Sequence, residues 1–196
     1  MTNSTYLVLT RYIDEARIAL YKNTSHELTP FYRLKIYQAL MHNAVKDSEV
    51  VGSLSILATE HALLEREQLR LDIRIKQMLE TTKQLLSGEI NQAAARLVET
   101  RAEEDGHGLH EESFITFVYE AALVTLSTSL GYPCFGGQLI TDKTIDGELD
   151  PWSSDAAKWA SFAVAERPWV PAADNQKRLE FWLWWLDEAI PAAIAT

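Results

Sequence analysis

The stretch Phe181-Trp182-Leu183-Trp184-Trp185-Leu186-Asp187-Glu188-Ala189-Ile190-Pro191 closes a chain of 196 residues whose six Trp all lie at or after position 152. Leu179, Trp182, Leu183, Leu186 and Ile190 fall at the spacing of one helix face, and Asp174 is placed to cap that helix. Trp is the largest apolar side chain and carries an N–H that needs a partner, so such clustering marks a packed core or a contact surface rather than a reaction. Trp159, Trp169, Trp182 and Trp185 are therefore expected to form core. Phe181, Trp184 and Trp185 spread around the helix and must be covered by the rest of the chain or by a partner.

Upstream, helical periodicity dominates. Tyr12, Ala16, Ala19 and Leu20 share a face, and Ile36, Tyr37, Leu40, Met41 and Ala44 repeat the pattern after Pro30, which suits a first helical turn. A third pattern, Leu54, Leu57, Ala58, His61, Leu64 and Gln68, follows Asp47 and Ser48, and a fourth, from Leu71 to Leu86, stops at Gly88. A shorter Ala-rich helix spans Ile90 to Glu103, broken by the acidic, Gly-containing run Glu103 to Gly108. Ser113 to Leu130 is apolar almost throughout, with Glu120 its one charge, which describes a central buried helix. Residues 131–150 read as a long ordered loop, and Ser153-Ser154-Asp155 or Asp150-Pro151 starts a helix that Pro168 stops. The expectation is an all-α, single-domain bundle of about seven to eight helices over residues 1–196, with segment 150–196 part of its core.

Composition narrows the function. With 18 basic against 28 acidic residues the chain carries −10, which repels nucleic-acid phosphates and excludes direct nucleic-acid binding as the first reading. The single Cys134 offers no internal disulfide, and neither the N-terminus nor the Gly- and Pro-broken stretch Ala121 to Thr141 suits a membrane, so a cytoplasmic protein without membrane contact is expected.

Catalytic and metal signatures fail one by one. Glu104-x-x-His107 has the spacing of a di-iron ligand pair, but that design needs two pairs, and no carboxylate stands three residues before His26, His42, His61 or His110. His61 sits on an apolar face and reads as a hydrogen-bonded core histidine. Cys134 has no His or basic neighbour, Gly-x-Ser-x-Gly is absent, and Gly106-x-Gly108 lacks a third Gly and a leading strand. No cofactor and no catalytic residue is expected. Two other classes stay open: a bundle enzyme or metal protein whose His61, His107, His110, Glu60 and Glu65 converge in space, and a helical adaptor or homo-oligomer joined through its aromatics.

The C-terminal residues carry a resemblance. Ala157-Lys158-Trp159-Ala160-Ser161-Phe162-Ala163, then Arg167-Pro168-Trp169, then Lys177-Arg178-Leu179-Glu180-Phe181-Trp182-Leu183-Trp184-Trp185-Leu186, then Glu188 to Ala193, resemble the closing segment of the all-α immunity protein family five of bacterial polymorphic toxin systems. That pattern joins an aromatic-Ala helix, a Trp after a small turn, and a basic residue before Glu-Phe-Trp-x-Trp-Trp-Leu. The match covers roughly the last forty residues, and Glu166-Arg167-Pro168 replaces the pair of Gly that often precedes Trp169. The resemblance implies a non-catalytic protein, monomer or homodimer, that binds a cognate toxin domain in the cytoplasm; it supplies no contact residues. On charge alone, Glu103, Glu104, Asp105, Glu111 and Glu112 are the candidates to meet a basic toxin cleft, against the plainer reading of a solvated acidic loop.

Overall fold

The computed structural model describes residues 3–41, 47–66, 69, 72–106, 109, 114–131, 155–165 and 175–195. Among these residues every regular element is helical: α1 (Asn3–Lys22), α2 (Pro30–Met41), α3 (Asp47–Glu65), α4 (Ile73–Leu86), α5 (Gln92–Gly106), α6 (Phe114–Ser129), α7 (Ala156–Ala165) and α8 (Asn175–Trp184). The last helix continues through a π turn, Trp185–Ala189, into α9 (Ile190–Ala195), so the described residues present eight rods in an all-α bundle. The expected loop lies outside the described residues apart from Gly131, as do Pro168, Trp169 and Asp174.

Local chemistry explains the boundaries. Asp72 caps α4 by accepting the Arg74 N–H, and Asp155 caps α7 by accepting the Lys158 N–H at 3.1 Å. Gly88 takes φ +76 after α4, which lets the Glu89 N–H reach the Gln84 carbonyl at 2.9 Å and the Gly88 N–H reach that of Leu85 at 3.2 Å. That pair of bonds closes a helix end and requires a left-handed residue.

Helix α6 lies at the centre, packed against α3, α4, α5 and α7. Its contact with α3 is made by small residues: Thr59 and Thr125 meet hydroxyl to hydroxyl at 3.0 Å, and Thr125 also donates to the Ala121 carbonyl at 2.7 Å. Leu54, Ser55, Ala58, Thr59 and Ala62 face inward, whereas Leu64, expected on the core face, is 61% exposed. The inner face of α3 follows residue size rather than hydrophobicity, because close helix approach favours Ala, Ser and Thr there.

The C-terminal rod buries Phe181, Trp182, Trp185, Leu186, Ala189, Ile190 and Ala193, a stripe repeating every four residues. A regular α-helix would rotate that stripe by about 40° per repeat, so it could not keep facing one core. The π turn widens the helix and corrects the drift: the Ile190 N–H donates to the Trp185 carbonyl, five residues back. Pro191 stands immediately after, without an N–H and with a ring that would press on the Asp187 carbonyl of a regular helix, which favours the wider turn at this point. Leu183, expected in the core stripe, is half-buried. Trp182 and Trp185 meet edge to face at 5.7 Å, Tyr37 packs on Trp185 at 5.8 Å, and half-buried Trp159 stacks on Phe117 at 6.2 Å.

Candidate functional site

Two groups of charged side chains stand out, and they differ in whether their charges are matched. The first is internal. Arg33 of α2 donates through Nε to Asp155 at 2.7 Å and through Nη1 to the Leu28 carbonyl, and it lies 3.5 Å from Glu27. Arg178 of α8 donates to the carbonyls of Ser25 at 2.7 Å and Ala165 at 2.9 Å, with Glu27 at 3.6 Å. Trp182 Nε1–H donates to Glu27 at 3.3 Å. Loss of water pushes the Glu27 carboxyl up to about 7, with Arg33 and Arg178 pulling the other way. The cluster clamps the α1–α2 connection to α7 and α8, and it gives the basic residue of the Arg178-Leu179-Glu180-Phe181-Trp182 motif a physical role. Its members are enclosed by one another, which suits a clamp better than a reaction centre.

The second group is open. Glu103, Glu104 and Asp105 are exposed on the last turn of α5, not in a loop as expected, because the helix runs on through Gly106. A Cβ at Gly106 would come within 3.3 Å of the Tyr119 ring, whose hydroxyl donates to the Ala102 carbonyl at 2.6 Å. Glycine thus permits α5 and α6 to approach where it was read as a helix breaker. Glu99, Glu103 and Gly106 share one face of α5, and Glu120, Leu123 and Ser127 share one face of α6. Ser127 donates to buried Glu99 at 2.6 Å. Between the helix ends lies a concavity of about 470 Å³ lined by Glu103, Gly106, Glu120 and Leu123. Among the described residues Glu120 has no hydrogen bond or ion pair, and desolvation raises its pKa. The sequence did flag it, as the lone charge of an apolar helix. Asp105 lies close enough to Arg74 to help hold that guanidinium protonated, although Arg74 is bound chiefly by Asp72. Glu111 and Glu112 lie outside the described residues.

Among the described residues the other candidates form no hydrogen-bonded cluster. His61 stacks on Trp184 at 3.9 Å and meets Phe181 edge-on, and among the described residues it is held by these rings rather than by the expected hydrogen bond, while desolvation lowers its pKa. Glu60 points to the opposite neighbour, pairing with Lys83 of α4 at 2.7 Å; Glu65 is exposed, and His107 and His110 lie outside the described residues. A groove of about 730 Å³ between α3 and α4 is lined by Leu63, Leu64 and Leu79 with Glu60, Lys76, Glu80 and Lys83, whose charges cancel. Among the described residues no three His, Cys, Asp or Glu gather as metal ligands, and no helix is long and apolar enough to cross a membrane.

The open carboxylates can accept ammonium or guanidinium groups from another molecule, and among the described residues nothing around them provides a nucleophile and base in contact. No curated protein matches the chain. The family model described as immunity protein Imm5 matches residues 13–192, far beyond the C-terminal segment that carried the resemblance. That match takes in the ionic clamp, the acidic concavity and the tryptophan core alike, and the chain belongs to the Imm5 immunity protein family.

Proposed function

We propose that this immunity protein binds a cognate toxin domain of a bacterial polymorphic toxin system in the cytoplasm and neutralises it by occupying its surface, without catalysis. The contact is assigned to the acidic end of α5, Glu103, Glu104 and Asp105, together with Glu120 of α6 and the neighbouring Glu111 and Glu112. The observation that carries this reading is Glu120: a carboxylate partly withdrawn from water, unpaired among the described residues, at the mouth of a concavity whose other charge is also negative. Such a group is costly until a cation reaches it, so a Lys or Arg from a partner gains more there than at a solvated glutamate. The exposed carboxylates around it speed encounter with a basic surface.

The test is association kinetics with the cognate toxin domain. Neutralising Glu103, Glu104 and Asp105 to their amides is expected to slow association and flatten its salt dependence, while Glu120→Gln mainly speeds dissociation. An association rate indifferent to salt and to all four changes would refute the assigned surface.

A further inference from the structure

Helix α1 packs chiefly on α2, and among the described residues its outer face has no partner. Along that face Leu7, Arg11, Asp14, Ile18 and Tyr21 follow one another at intervals of four, three, four and three residues, all exposed, with Leu7 at 70%, Ile18 at 55% and Tyr21 at 60%. This is the heptad seam by which two helices pack side by side, and an ordinary surface helix is polar there.

The two halves of the seam complement each other. Reversing the helix about the point midway between Tyr12 and Ile13 brings Leu7 onto Ile18 and Arg11 onto Asp14. An antiparallel copy therefore meets apolar with apolar twice and cation with carboxylate twice, the self-complementarity that a two-fold interface requires. Asp14 holds Arg17 through Oδ1 at 2.7 Å, leaving its other oxygen for a second donor, and Arg11, its guanidinium over the Tyr12 ring at 5.0 Å, has Glu15 at 3.8 Å as its ion-pair partner among the described residues. Beside Ile18 a concavity of about 420 Å³ between α1 and α2, lined by Ala19, Thr29 and Tyr32 among others, can receive Leu7 of the second copy. On a chain of net charge −10, chance contacts between copies are repulsive; this seam pairs opposite charges instead.

We infer that two copies of this chain associate through an antiparallel α1–α1 seam. It spans about 21 Å from Leu7 to Tyr21, so the interface is small and the dimer forms reversibly as concentration rises. The seam lies on α1 and the proposed toxin surface on α5 and α6, so the two readings stand or fall separately.

Sedimentation velocity over a concentration series tests it. The wild-type mass should climb from 22.2 kDa towards twice that value. Leu7→Glu with Ile18→Glu should hold the chain monomeric, with an unchanged helical circular dichroism spectrum because both sites are exposed. Arg11→Asp alone and Asp14→Arg alone should each raise the dissociation constant roughly tenfold, and the two together should restore it. A constant monomer mass, a dimer that survives the leucine and isoleucine changes, or a double reversal no better than either single one would overturn the proposal.

Discussion

Glu27 shows how one buried side chain sets a property of the whole fold. Its carboxyl titrates near 4.5 when free and at about 7 in the folded chain, so between those values the folded state holds a proton that the unfolded state has released. The stability this confers is complete below about pH 4.5 and is lost as pH rises through 7, amounting to at most about 3 kcal/mol. Urea unfolding at a series of pH values should show that decline for the wild type and a shallower slope for Glu27→Gln, which cannot titrate; parallel slopes would contradict the assignment. Trp185 makes a different point. Fully buried, it finds no acceptor for its Nε1–H among the described residues, so its contribution is volume and ring contact. Trp185→Ala should cost about 3–5 kcal/mol. Trp185→Phe should cost clearly less, since it removes the orphan donor while keeping a ring, and equal losses in denaturant titrations would be inconsistent with this account.

Helix ends extend the same logic to elements. Asp72 and Asp155 both cap helices, but Asp72 is paired beside solvent with Arg74, whereas Asp155 also holds the buried guanidinium of Arg33. Asp72→Ala should therefore cost about 1 kcal/mol and Asp155→Ala about 3–5 kcal/mol, measured by chemical denaturation. Equal costs would mean that Asp155 acts as a cap alone. The Asp155 cap, one of the starts the sequence offered, and the Gly88 stop were legible because each depends on one residue type at one position; the Asp72 cap was not, because the apolar pattern read as starting at Leu71. Helix α6 was legible because a helix apolar all round has only one place to be. The inward face of α3 was not, because its tight contact with α6 selects Ser55, Ala58 and Thr59 by size and sends Leu64 outward. Nor was the continuation of α5 through Glu103, Glu104 and Asp105, since like charges and Gly106 read as a break until Tyr119 is seen to need the space. The π turn left only Pro191 as a clue, because a shifted hydrogen bond has no residue signature of its own. Arg178 and Glu27 were invisible as partners, being 151 positions apart in the chain and joined only by the fold.

At the scale of the molecule, the interior is tied together by an ionic clamp and a tryptophan core, while Glu103, Glu104 and Asp105 stand exposed at the far end of α5 and Glu120, unpaired among the described residues, lies on α6. On the proposed reading the acidic end inhibits by fit and charge, and the effect would scale with the number of copies present. The family membership and the acidic concavity support that reading. The most direct measurement is a titration of a candidate cognate toxin domain's activity with the purified chain at toxin concentrations well above the dissociation constant. Activity should fall in a straight line and reach its floor at one chain per toxin. Silencing by a small fraction of an equivalent would reveal turnover, and undiminished activity at excess would show that this chain does not neutralise that toxin; either result contradicts the account.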